Sequence, residues 1–265
     1  MDLKKTTESI CKIAEEAGDF IKKEARLFNR DKIQYKDTHD FVSYVDINSE
    51  KMIVERLSSL IPGSGFIVEE GTAQKNQSEF TWVVDPLDGT TNFLHNVGLH
   101  SVSIGLMYHD VPVAGAVYHI GADELFYAWK EGGSWLNNKR IHVSDTSSIN
   151  MSLVSTGFPV KNYTRLDDYL KCLEYFIRKS SGVRRMGSVA IDLSWLACGR
   201  YDAFFEYGLN PWDVTAAIVI VREAGGRIGT FSGDEKNVDG KEIVAANSIL
   251  FEEVQKITGT FMNHL

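Results

Sequence analysis

Acidic residues stand at the ends of apolar runs in two places in this chain and open a late helix in a third. The segments are Val68-Glu69-Glu70-Gly71, Trp82-Val83-Val84-Asp85-Pro86-Leu87-Asp88-Gly89-Thr90-Thr91-Asn92, and Asn210-Pro211-Trp212-Asp213. In the second segment Pro86 fixes φ and lacks an N–H, so a regular strand ladder cannot run through it. Asp88 follows Asp85 by three residues, and a tight turn would aim both carboxylates at one point. Gly89 permits a backbone conformation closed to other residues. Thr90-Thr91-Asn92 can then open a helix whose free N–H groups suit a phosphate. Each segment also has an ordinary reading. Asp-Pro and Asp-Gly are common turn dipeptides, adjacent glutamates commonly face solvent, and Asn210, Pro211 and Asp213 make a good helix start without any chemistry.

The combination says more than the parts. Carboxylates held a few ångströms apart repel one another unless they are protonated or bridged by cations. Oxygen donors without accompanying His or Cys select Mg²⁺, Mn²⁺ or Ca²⁺ over zinc. Two such cations roughly 3.5–4 Å apart can clamp a phosphoryl group and activate water, so no general-base histidine is required. Spacing alone leaves open whether the three segments meet.

The elements that must position these acids alternate along the chain. Ile10, Ala14, Ala17, Ile21, Ala25 and Phe28 recur at helical spacing over about 3–28, and Ile47, Ile53, Val54, Leu57 and Leu60 over about 46–60, where Pro62-Gly63 stops the helix. Phe66-Ile67-Val68 and Trp82-Val83-Val84 read as short strands. Further strands are expected at 101–107, 113–119 and 125–129, with His109-Asp110 and Gly121-Ala122-Asp123 as turns. Strands near 151–156, 183, 202–205 and 243–246 interleave with helices near 165–179, 188–197 and 211–224 and a C-terminal helix. Layered sheets and helices follow.

The chain has 265 residues and a formal net charge of −8, from 28 basic and 36 acidic side chains. This acidity lacks the basic footprint of a nucleic-acid binder. The densest basic cluster, Arg184-Arg185, is too short to track a phosphate backbone. Cys11, Cys172 and Cys198 have neither metal-ligand nor redox spacing and read as small apolar fillers. With neither a signal-peptide core nor a run of about 20 apolar residues, a soluble, cytoplasmic protein with no membrane partner is expected.

Asp85-Pro86-Leu87-Asp88-Gly89-Thr90-Thr91-Asn92 and Trp212-Asp213-Val214-Thr215-Ala216-Ala217 resemble the two signatures of the inositol monophosphatase family, a lithium-sensitive phosphatase group. Glu69-Glu70 sits at the expected distance upstream, and Asp40-Phe41-Val42-Ser43-Tyr44-Val45-Asp46 is similar to a further acidic motif. The resemblance implies one domain over 1–265, two packed halves with a soft boundary near 145–150, a layered α-β-α-β-α sandwich of α/β (α+β) class, and a homodimer. It implies two to three Mg²⁺ ions per site: Glu69, Asp85 and the Leu87 carbonyl for the first, Asp85, Asp88 and Asp213 for the second, and a weaker third near Glu69. Thr90, bonded to Asp46, would position water together with Glu69, and the Gly89 and Thr90 N–H groups would receive phosphate. Gly187, Ser188 and Val189 would line the substrate ring, with Val189 where relatives usually have alanine, and Glu206 would bind hydroxyls. The implied activity is hydrolysis of a small phosphorylated metabolite, inositol monophosphate first, with NADP(H) or fructose 1,6-bisphosphate as alternatives and a non-catalytic regulatory binding protein behind them.

Overall fold

A computed structural model of the chain describes residues 1–27, 34–37, 40–42, 44–73, 78–159 and 162–262. The chain opens with α1 (Leu3–Ala25), capped by Asp2, whose side chain accepts from the Lys5 N–H. Its apolar stripe, Ile10, Ala14, Ala17 and Ile21, is fully buried as the spacing predicts. A short antiparallel pair, β1 (Gln34–Asp37) and β2 (Asp40–Val42), leads to α2 (Tyr44–Leu60). Phe28 and Ser43 lie outside the described residues.

The larger sheet follows: β3 (Gly65–Val68), β4 (Phe80–Asp88), β5 (Ser101–Tyr108), β6 (Val111–His119), β7 (Glu124–Trp129), β8 (Gly133–Leu136) and β9 (Lys139–Ile141), in sequential order, with a short helix α3 (Thr90–Leu94) after β4. Only β3 and β4 pair in parallel; the remaining neighbours are antiparallel hairpins. His109 and Asp110 both take positive φ at the expected β5–β6 turn. The β8–β9 hairpin was not expected. Its turn, Asn137-Asn138, also has positive φ at both residues, a conformation asparagine tolerates well.

The second sheet is built from β10 (Leu153–Thr156), β11 (Gly182–Arg184), β12 (Ala203–Tyr207), β13 (Gly226–Gly229) and β14 (Glu242–Asn247), in the order β11-β10-β12-β14-β13. Between and after these strands come α4 (Leu166–Lys179), α5 (Val189–Ala197), α6 (Pro211–Glu223) and α7 (Phe251–Met262). Helices α1 and α2 pack on one face of the larger sheet, α5 and α6 lie between the sheets, and α4 and α7 cover the far face of the smaller one. This is the expected α-β-α-β-α layering.

Its centre is α6. The sequence puts Val214, Ile218 and Val221 on one apolar face, yet every residue from Val214 to Val221 is buried. A helix covered by sheets on both sides has no polar face to keep. Fully burying Ile220 or Val221 stabilises this placement by about 1.5–3 kcal/mol each, before ordering costs. Cys11 and Cys172 are buried and all three cysteines are free thiols; burial pushes the Cys172 thiol up to about 12. No helix among the described residues is long and apolar enough to cross a membrane.

Candidate metal centre

The interruption expected at Pro86 is a bulge. Asp85 pairs with Ser103 and Asp88 with Ser101, so three steps along β4 match two along β5. In a regular strand, residues three apart point to opposite faces. One extra residue reverses that parity and turns both carboxylates to the same side.

Asp85 is 2% exposed, and its Oδ1 accepts the Leu87 N–H at 2.9 Å. Its carboxyl is held well above the usual range by burial and by the charges of Glu69, Asp88 and Asp213, with a further contribution from a hydrogen bond with Glu69. Glu69 thus lies within hydrogen-bonding reach of Asp85, and Asp88 and Asp213 are near enough for their charges to act on it. Glu69 ends β3 at the neighbouring strand, where its N–H donates to the Val84 carbonyl at 3.3 Å. Asp213 is the third residue of α6; its Oδ2 accepts the Asn210 N–H at 2.7 Å in a capping box. The ordinary reading of Asp213 as a helix-start residue is right, and it coexists with proximity to Asp85.

Asp88 ties the larger sheet to α5. Its Oδ2 accepts from Ser188 Oγ at 2.6 Å and from the Ala190 N–H at 2.8 Å, at the start of α5. Burial pushes Asp88 up to about 6, against the downward pull of hydrogen bonds from Ser188, Ala190 and Val189. The hydroxyl of Ser188 is thus engaged by Asp88.

Thr90 Oγ1 lies 3.1 Å from Asp46 Oδ1 and 3.0 Å from the Leu87 carbonyl, two acceptors for one proton. Gly89 caps the short α3 with φ 91°; a Cβ there would come within 2.8 Å of the Leu99 carbonyl and 3.3 Å of the Gly187 carbonyl. Only glycine lets these loops lie so close. Asn92 fastens them together, its Nδ2 donating to Leu99 O at 2.7 Å and Met186 O at 2.9 Å. Val189 starts α5 beside Gly187 and is half-buried. Glu206 on β12 is 6% exposed, with Oε2 buried and unpartnered. Burial and the charge of Asp192 raise its carboxyl well above the ordinary range, and Arg185 opposes them. His100 is buried edge-on to Phe93 with Nδ1 3.2 Å from Val97 O, while His95 is exposed.

Two residues absent from the sequence reading, and a third given no role of its own there, shape the site. Glu50 is fully buried, and its carboxylate accepts the Glu70 N–H at 2.6 Å, the Thr72 N–H at 2.8 Å and the Thr72 hydroxyl at 2.7 Å. It thereby fixes the loop that carries Glu69. A signal was present: Asp46 and Glu50 are acids at i, i+4 on the same face of α2 as apolar Ile53 and Leu57. Asp192 on α5 is buried with Oδ1 unpartnered. Asn92 stands inside the first signature but is read there only as part of a helix start.

Among the described residues, no group of three or more His, Cys, Asp or Glu side chains stands in the arrangement of a finished ion cage. The donor set nevertheless fits a hard divalent cation. It consists of carboxylate and carbonyl oxygens, and burial with mutual repulsion disfavours the charge on Asp85 unless a cation offsets it.

Fold and site together define a layered α+β protein with an acidic centre between its sheets. The chain belongs to the inositol monophosphatase family, which it matches over residues 2–261. It is 39% identical over 247 residues to a protein of Neisseria meningitidis serogroup B named putative Nus factor SuhB, covering 93% of this chain and 95% of that one. It is 36% identical over 262 residues to the fructose-1,6-bisphosphatase/inositol-1-monophosphatase of Aquifex aeolicus, covering 98% of each. The solved inositol monophosphatase of an Anabaena (Nostoc) species superposes with a TM-score of 0.85 at 31% identity, over 97% of this chain and 96% of that one.

Proposed function

We propose that this protein is a Mg²⁺-dependent phosphatase that hydrolyses a small phosphate monoester, with inositol monophosphate the first candidate, and works as a cytoplasmic homodimer. The observation that supports the reading is the buried Asp85, hydrogen-bonded with Glu69 and within reach of the charges of Asp88 and Asp213, on a bulge that turns Asp85 and Asp88 to one side. Such a centre repels a phosphate unless cations reverse its sign.

Glu69, Asp85 and the Leu87 carbonyl would hold one Mg²⁺, and Asp85, Asp88 and Asp213 a second, with a weaker third near Glu69. When bound, the ions would supply Lewis acidity toward the phosphoryl group and toward water. Thr90, when it donates to Asp46, would use its lone pairs together with Glu69 to orient the attacking water. The Gly89 and Thr90 N–H groups would receive phosphate oxygens. Gly187, Val189 and the backbone of Ser188 would flank the ring, and Glu206 would bind a ring hydroxyl.

A turnover panel tests this: inositol 1-phosphate, fructose 1,6-bisphosphate, NADP⁺ and 3′-phosphoadenosine 5′-phosphate, with Mg²⁺ and after exhaustive chelation. Turnover should be highest on inositol 1-phosphate and vanish on chelation; full activity without metal would end the proposal. A second reading, a regulatory binding protein, draws on the Nus factor name of the Neisseria relative. It predicts no turnover on any ester. That name also weighs against the expectation of no nucleic-acid partner, which rests on the acidic charge balance alone.

A further inference from the structure

The face of the larger sheet turned away from the acidic centre carries a cleft of its own. Tyr127 and Trp129 point out of β7 on the α1 side, while their neighbours Phe126 and Ala128 pack toward α5 and α6. Trp135 of β8 pairs opposite Tyr127. These three rings and one stripe of α1 enclose about 510 Å³, within the size range of small-ligand sites. The rings lie nearly parallel: Trp135 is 9° from the plane of Tyr127 at 6.5 Å between centroids, and 2° from that of Trp129 at 6.4 Å. All three are only half-buried. Their setting is rigid. The β7–β8 turn is tied to Glu223, whose carboxylate accepts the N–H groups of Glu131 and Gly133 at 2.8 Å each. Trp129 folds over Gly132 so closely that a Cβ there would strike the indole.

The polar ends of two of these rings are already bonded. Tyr127 Oη donates to Asn138 Oδ1 at 2.9 Å, and Trp135 Nε1 donates to the Gly132 carbonyl at 3.1 Å. What a ligand meets is aromatic surface and the charges of α1. Lys4, Glu8, Cys11, Lys12 and Glu15 recur at helical spacing and line the cleft together. Cys11 is its buried floor; burial and the charges of Glu15 and Glu8 push the thiol up. Burial, Cys11 and Glu8 in turn raise the Tyr127 hydroxyl. The two carboxylates thus act on the floor, and among the described residues neither is held in an ion pair. Lys4 and Lys12 are exposed, on long stems that let their ammonium groups stay in water.

Aromatic faces and carboxylates both favour a cation. A metal ion or a primary ammonium would need more oxygen acceptors than the ring faces offer, whereas an alkylated ammonium presents apolar methyl groups and asks for no hydrogen bond. We propose that this cleft binds a small alkylated ammonium ion, its methyl groups against Tyr127, Trp129 and Trp135 and its charge facing Glu8 and Glu15. The site lies across the sheet from the acidic centre and stands apart from the phosphatase reading.

Choline is the probe, titrated into the full chain with Mg²⁺ present and ionic strength held constant with NaCl. The readout is the set of indole N–H resonances, one for each of the 5 tryptophans, assigned with Trp129→Phe and Trp135→Phe. The Trp129 and Trp135 signals should move together, and the uncharged isostere 3,3-dimethyl-1-butanol should bind at least about tenfold more weakly. Glu8→Gln, at an exposed helix position, should raise the choline Kd roughly threefold or more, and Trp135→Ala roughly tenfold. Glu253→Gln removes the same charge from an exposed position on α7 and should leave the Kd unchanged. Equal affinity for choline and the isostere would leave a plain apolar cleft and overturn the proposal. So would a loss in Glu253→Gln as large as in Glu8→Gln, which would reduce the effect to net charge. Shifts confined to Trp212, beside Asp213, would move the cation to the acidic centre, and no shift at about 100 mM choline would remove the site; either result also overturns it.

Discussion

Replacing Glu50 by glutamine would expose how the acidic centre is braced. The two residues have nearly the same shape, so the change alters hydrogen bonding without opening a cavity. The carboxylate accepts three hydrogen bonds, one from Glu70 and two from Thr72, spread over both of its oxygens. Glutamine has a single acceptor oxygen. If that oxygen keeps the two Thr72 bonds, an NH₂ group faces the Glu70 N–H and that bond is lost. Losing a hydrogen bond to a charged acceptor, and weakening two others, should destabilise the protein by about 2–4 kcal/mol. The loop that loosens carries Glu69, so the half-saturating Mg²⁺ concentration should rise roughly 10–100-fold, as when a partner behind a metal ligand is removed. Urea denaturation reads the first effect and Mg²⁺ titration of turnover the second. A stability change under about 0.5 kcal/mol, the range of an inert surface substitution, with an unaltered Mg²⁺ requirement would refute the reasoning.

Asp85→Asn should lower turnover by orders of magnitude, because it removes the acid around which the others gather; the metal-free protein should be no less stable in urea, since a repelled charge is gone. Near wild-type turnover in that variant would sink the two-metal proposal. Asn92→Ala leaves the Leu99 and Met186 carbonyls without their donor and should cost about 1–3 kcal/mol of stability. It should also raise KM, because the Gly187 loop loses its tie; unchanged values of both would show that the tie is idle.

Much of the site was legible because its chemistry is written in short, contiguous words. Pro86 announces the break in β4, and the bulge there explains how two acids three residues apart come to share a face. The β8–β9 hairpin escaped notice because Gly133-Ser134-Trp135-Leu136 is too short and too mixed to show a clear alternation, and because Asn-Asn is a weaker turn signal than Asn-Gly. Strand β13 was missed since Gly225-Gly226 reads first as the stop of α6. Glu50 and Asp192 were missed for another reason. An acid on a helix is ordinarily a solvated one, and only the layers packed around α2 and α5 reveal that these two are buried.

The burial of α6 on both sides has a practical corollary. The helix bearing Asp213 stays in register only while the larger sheet holds one flank and the smaller sheet the other. Loosening either layer would let Asp213 drift before the hairpins of the larger sheet come apart. Enzymatic activity should therefore fade ahead of the spectroscopic signal of strand content on gentle heating, which makes turnover an early gauge of whether the two halves remain docked.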